Sequence, residues 1–293
     1  MKPWLLFALT TLVFWGVWGA FTGTPEKNGF PETLGYVVWS VTMILPAIVM
    51  LALEKFHIDR HRKAIIYGTL IGVTGCGGTV LLFKVLTIGP AYLVFPIIAL
   101  SPAITVLLSF ALLRERTGKL GALGIVLAII SVLFFSVQDP QKGEFGHGWL
   151  LMSLVITVAW GVQAYYMKVA SQHMSSASIC FYNTLAALAF VPLTLWMTNF
   201  HQTINWGWSG VGAATVIQLL NAIGFCTFVF AFRYGKGIIV APLCNGYPVI
   251  TVLVSLAWYR TLPTSIQSVA IILGIGGALL MVFDEARQPM KSY

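Results

Sequence analysis

Residues 102–114 read PAITVLLSFALLR and residues 248–260 read PVITVLVSLAWYR, and both lie in apolar stretches long enough to cross a bilayer. Eight of the thirteen positions are identical, among them Pro102/Pro248, Thr105/Thr251, Ser109/Ser255 and Arg114/Arg260. The same offset of 146 sets Pro96 on Pro242 and Gly89 on Gly235, and an offset of 145 sets Trp15-Gly16-Val17 on Trp160-Gly161-Val162. Few folds accommodate such a duplication. Each copy must cross the membrane and pack on the other, and the small-molecule sites of duplicated membrane proteins lie between the copies.

A membrane helix needs about 20 mostly apolar residues. Ten stretches qualify: 4–21, 34–53, 64–86, 91–113, 118–137, 148–169, 177–198, 208–232, 237–258 and 264–283. Their connections are short, and only 9% of residues are charged, against about 25% in soluble domains. The stretch after Lys2 could pass for a signal peptide, but its match to the segment around Trp160 marks it as a retained helix. The expected fold is therefore an all-α polytopic membrane protein: ten transmembrane helices as two inverted five-helix repeats. Residues 1–137 form the first repeat, 138–147 an extracytoplasmic linker, and 148–293 the second repeat with a short cytoplasmic tail. Inversion follows from the odd number, because after five crossings the second copy enters from the other side.

The net charge of +8 would suggest nucleic acid in a soluble chain. Here the charges sit in short loops, so they report topology and no nucleic-acid partner is expected. With a cytoplasmic N-terminus, thirteen lysines and arginines fall inside and four outside (Lys27, Lys84, Lys142 and Arg260), the bias that orients membrane proteins. Both termini are expected in the cytoplasm, most simply at a bacterial inner membrane, with the chain a monomer or a homodimer.

The nine acids and five histidines read as loop or tail residues, which weakens proton relays and cation sites built on buried carboxylates. Cys76, Cys180, Cys226 and Cys244 lie in apolar segments without metal-ligand spacing; no metal, cofactor or catalytic set is expected. Neutral polar groups do enter the spans. Gln218 and Asn221 share a helix face with Phe225; Asn245 and Tyr247 sit between Pro242 and Pro248; Asn183 follows Tyr182, and Gln163 follows Trp160. Amides in lipid need partners and often find them on a neighbouring helix, so each could serve packing, while four helices contributing them favour a polar cavity. Trp15, Trp18, Trp39 and Trp160 lie too deep for an interfacial belt and could stack on a ligand. Pro96, Pro102, Pro242 and Pro248 each remove a backbone donor and are expected to break or hinge their helices. Lys84, about one turn inside a span, either snorkels to the interface or faces the cavity as an anion contact.

The five-plus-five inverted repeat, the Trp-Gly that opens each half and the Pro…Arg fourth helices resemble the drug/metabolite transporter superfamily, in particular its ten-helix EamA-type branch. Arg114-Glu115-Arg116 followed by Gly121 looks like that family's link between helices four and five. The resemblance implies alternating access around a central cavity formed largely by helices three, four, eight and nine, with helices one, two, six and seven as gates. The chain departs from the family in two places. Thr261 stands where Glu115 stands in the first half, and the first helix lacks the glutamate of the small multidrug members. The substrate expected from amides, aromatic rings and no embedded acid is a small polar neutral or zwitterionic metabolite, such as an amino acid, sugar or nucleobase. The alternatives are an organic-anion exchanger using Lys84, or a membrane scaffold or receptor that transports nothing.

Overall fold

The computed structural model describes residues 2–88, 94, 97–135, 148–259 and 263–287. Pro96 and the expected linker 138–147 lie outside these residues. All regular structure among the described residues is helical. Among the described residues, eight helices are long and apolar enough to cross a bilayer, and two shorter apolar ones join them. In chain order they are α1 (Pro3–Phe21), α2 (Glu32–Leu53), α3 (Arg62–Ile88), α4 (Ser101–Leu112), α5 (Lys119–Phe135), α6 (Gly148–Ala170), α7 (Ser176–Met197), α8 (Trp208–Tyr234), α9 (Gly237–Trp258) and α10 (Ser265–Arg287). Their outer surfaces expose large apolar side chains such as Leu45, Leu107, Leu151, Ile272 and Leu279. A soluble monomer rarely shows so much contiguous apolar surface; hydrocarbon accepts it.

Among the described residues, three of the long helices are interrupted just before a proline. The α2 helix breaks at Met43 ahead of Pro46, α7 at Phe190 ahead of Pro192, and α9 at Asn245-Gly246 ahead of Pro248. Proline cannot donate to the carbonyl four residues back, but it is at home in a first helical turn. The repeat reproduces one of these breaks. A turn at Ala99-Leu100 precedes Pro102, 146 positions before the turn at Asn245-Gly246. Pro242, expected as a further break, instead sits inside the helical segment Gly237–Cys244.

Helix α1 leaves its own repeat and packs on α8 and α9, while α6 packs on α3 and α4; α5 and α10 pair with each other. The two crossings use the same chemistry. Trp15 Nε1 donates to the Asn221 carbonyl at 3.3 Å, and Trp160 Nε1 to the Gly75 carbonyl at 3.2 Å; Gly75 and Asn221 stand 146 residues apart. Thr251 Oγ1 donates to the Gly16 carbonyl and Thr105 Oγ1 to the Gly161 carbonyl, both at 3.0 Å. A Cβ on Gly16 would lie 2.4 Å from Ile250 Cβ, and one on Gly161 2.5 Å from Ile104 Cβ. Only glycine permits such an approach of two backbones.

The two faces differ. On the face that carries the N-terminus, Lys2 Nζ donates to the Glu285 carbonyl, Lys236 pairs with Glu285 at 3.1 Å, and Asp59 accepts from Ser175 N and Ser178 Oγ. The last two turns of α10 thus hold Asp284 and Glu285, read from the sequence as a tail. On the opposite face, Thr33 bonds Thr198 and the Asn205 amide reaches the Asn28 carbonyl.

Candidate functional site

A cavity of about 360 Å³ lies between the two repeats, within the range of small-molecule pockets. Trp15 and Trp18 reach it from α1, Tyr36 and Trp39 from α2, and Thr79 from α3. Pro102 and Thr105 come from α4, Trp160 and Gln163 from α6, Gln218 and Asn221 from α8, and Asn245 and Tyr247 from the break in α9. Eight of the ten residues expected at a ligand site thus line one cavity: Trp15, Trp18, Trp160, Gln163, Gln218, Asn221, Asn245 and Tyr247. The resemblance assigns the lining largely to helices three, four, eight and nine, whereas here α1, α2 and α6 supply all four tryptophans.

The fold holds these side chains by the contacts that make the crossings. The bond from Trp15 to α8 turns its ring toward Phe228 (centroids 4.9 Å apart) and Tyr247 (5.9 Å). Trp18 Nε1 donates to Gln218 Oε1 at 3.2 Å, which leaves the Gln218 amino group to other partners. The Asn245 amide donates to the Ala241 carbonyl at 2.8 Å, occupying a carbonyl at the broken end of its helix. The indole N–H of Trp39 is buried without a hydrogen-bond partner. An orphaned buried donor costs free energy, and the residue that carries it lines the cavity.

Two expected residues lie elsewhere. Asn183 is 1% exposed on the side of α7 that packs against α3, with Oδ1 3.8 Å from Cys76 Sγ. Its Nδ2 has no partner. The side chain of Lys84 is exposed and is not among the lining residues. Sequence reasoning also passed over residues that do line the cavity. Glu26 and Glu32, both exposed, stand at its rim on the face opposite the N-terminus. In the sequence they stand as loop acids around Pro31, and the signal for them is that Glu26 follows the end of α1 while Glu32 opens α2. The described lining contains no lysine or arginine.

Toward the N-terminal face the cavity ends at Ala164, Met167 and Phe228. Beneath it lie Lys168, buried to 8% exposure, and Glu115. Burial pushes the Glu115 carboxyl above its ordinary pKa, against the opposing pull of the Ile238 N–H and the Lys168 ammonium.

Comparison with known proteins agrees with this architecture. The EamA-like transporter family's pattern matches residues 2–137 and again 147–283. An uncharacterised protein of Methanocaldococcus jannaschii is 30% identical over 136 residues, covering 46% of this chain and 97% of its own. That relative therefore has the length of one repeat. A solved structure titled only "Crystal structure of protein" superposes with a TM-score of 0.80 over 99% of each chain at 15% identity, a likeness of fold.

Proposed function

The chain belongs to the EamA-like transporter family, and from that premise we propose that it carries a small polar neutral or zwitterionic metabolite across a lipid bilayer by alternating access, with the cavity between the repeats as its substrate site. One observation carries the substrate class. The described lining offers aromatic faces, amides and hydroxyls, and its only charged members are Glu26 and Glu32 at the rim. An anion entering here would give up its hydration with no cation to receive it, which is strongly unfavourable. A neutral or zwitterionic guest can stack on tryptophan and exchange hydrogen bonds with Gln218, Asn221 and Asn245. The rim acids favour the ammonium end of a zwitterion.

Placed by its loop charges with both termini in the cytoplasm, the molecule has its cavity rim facing outward and its sealed end facing inward. It belongs with transporters rather than enzymes. A thermal-shift screen of purified protein against a metabolite library, followed by uptake into liposomes, tests the reading. Stabilisation and flux by neutral or zwitterionic compounds are expected. Selective stabilisation and flux by organic anions would overturn the substrate class.

A further inference from the structure

Helix α8 ends at Tyr234 and α9 begins at Gly237, so the connector between them presents unpaired carbonyls on one side and unpaired N–H groups on the other. Two oppositely charged side chains meet those ends. Lys168, from α6, donates to the carbonyls of Phe232 (3.0 Å) and Gly235 (2.7 Å). Glu115, from the link between α4 and α5, accepts the Ile238 N–H at 2.9 Å. A cation at a helix C-terminus and an anion at the following N-terminus are each the favourable choice. The fit is close: a Cβ on Gly237 would lie 2.8 Å from Ser109 Oγ, 3.4 Å from Glu115 Oε2 and 3.5 Å from Lys168 Cγ. Met167, the neighbour of Lys168, lies at the closed end of the cavity.

The repeat shows that this arrangement is one-sided. An inverted duplication builds equivalent closures at both faces. Yet the offset of 145 sets Gly23 opposite Lys168, and the offset of 146 sets Thr261 opposite Glu115. Neither charge has a counterpart in the other half.

The geometry points to Lys168 and Glu115 as a latch that closes the N-terminal face of the cavity and biases the empty transporter toward the state open at the Glu26/Glu32 rim. This rests on the alternating-access reading above. Opening the N-terminal face requires α6 and the α4–α5 link to part from residues 232–238, breaking the charge-assisted hydrogen bonds that Lys168 and Glu115 make there. The separated charges then gain water, which keeps the open state accessible. At the matched positions of the other half stand Gly23 and Thr261, so this pair is not duplicated and the two openings are unequal in free energy. Lys168 and Glu115 are positioning residues that act through the connector.

The test reads accessibility without substrate. Thr79, on the cavity wall, is replaced by cysteine in a background whose four native cysteines are substituted. Labelling by a membrane-impermeant maleimide is timed from each face in oriented vesicles. E115Q and K168M should speed labelling from the N-terminal face by about 10-fold or more, a population shift of about 1.4 kcal/mol, and slow it from the rim face. E115Q keeps a hydrogen-bond acceptor and K168R keeps the charge, so at least one informative variant should remain monodisperse; K168R should retain slow labelling from the N-terminal face. D284N is the control. Asp284 ties Gly118 and Thr117 to α10 on the same face. Unchanged rates in E115Q and K168M, or equal acceleration by D284N, would overturn the latch. Liposome flux by the wild-type protein then decides separately whether alternating access stands.

Discussion

Replacing Gly161 by alanine tests the mirrored helix crossings. The added methyl would stand 2.5 Å from Ile104 Cβ and 2.8 Å from the Ser101 carbonyl, where carbon–carbon contacts settle near 3.5–4.0 Å. Neither obstacle is the tip of a flexible side chain, so α6 and α4 must part by about 1 Å. The bond from Thr105 to the Gly161 carbonyl, 3.0 Å long, then stretches or breaks. Overpacking costs about 1–3 kcal/mol and a lost neutral hydrogen bond about 0.5–1.5 kcal/mol. Removing a glycine from a helix returns about 1 kcal/mol. A net loss of about 1–3 kcal/mol is expected from these terms. Gly16→Ala meets the same obstacle, Ile250 Cβ at 2.4 Å, and the matching bond from Thr251, so its cost should agree within about 1 kcal/mol, the scatter of comparable core sites. Gly276, with nothing within 4 Å of its Cβ position, should tolerate alanine or gain from it. Unfolding in mixed micelles titrated with SDS, followed by tryptophan fluorescence, ranks the three. Adding Ile104→Ala should not rescue Gly161→Ala, because the clashing Cβ remains. A neutral Gly161→Ala, or a Gly276→Ala just as harmful, would refute the claim that the close approach limits these crossings.

Asn221→Ala and Asn245→Ala should each weaken substrate affinity about 2- to 12-fold, the equivalent of one neutral hydrogen bond, at near-normal folded yield; lost yield with unchanged affinity would assign both amides to packing. Lys84→Gln should leave affinity unchanged in a binding titration, since Lys84 is exposed and outside the described lining, whereas a loss of about 10-fold or more confined to anions would revive the anion-exchange alternative. At Asp59, burial raises the pKa, but the Ser175 N–H and the Ser178 and Ser175 hydroxyls outweigh it, helped by His57, and the net shift is downward. A depressed carboxylate stabilises the fold above its unfolded value of about 3.9, and that contribution fades as pH falls through the lower folded value. Asp59→Asn should therefore flatten part of the decline in thermal midpoint on acidification below about pH 5, and an unchanged acid limb would show that these hydrogen bonds to Asp59 contribute nothing.

The architecture was legible because it rests on one-dimensional properties. Apolar length sets the spans, and the motif around Pro102 and Pro248 exposes the duplication. An odd number of crossings per copy inverts it. The cavity's tryptophans and amides were legible for a related reason: polar or aromatic groups deep inside apolar helices need a partner or a cavity, and eight of the ten singled out line the same one. Direction was not legible. Helical periodicity says which residues share a face but not which neighbour that face meets, so Asn183 and Asn221 look alike in sequence while one packs on Cys76 and the other lines the cavity. Glu26 and Glu32 read as loop acids until the turn after α1 brings them to the rim. Glu115 and Lys168, 53 residues apart in sequence, become partners only where α8 gives way to α9. The apolar pattern does not specify where those helix ends meet other elements; tertiary packing brings Lys168 and Glu115 to them.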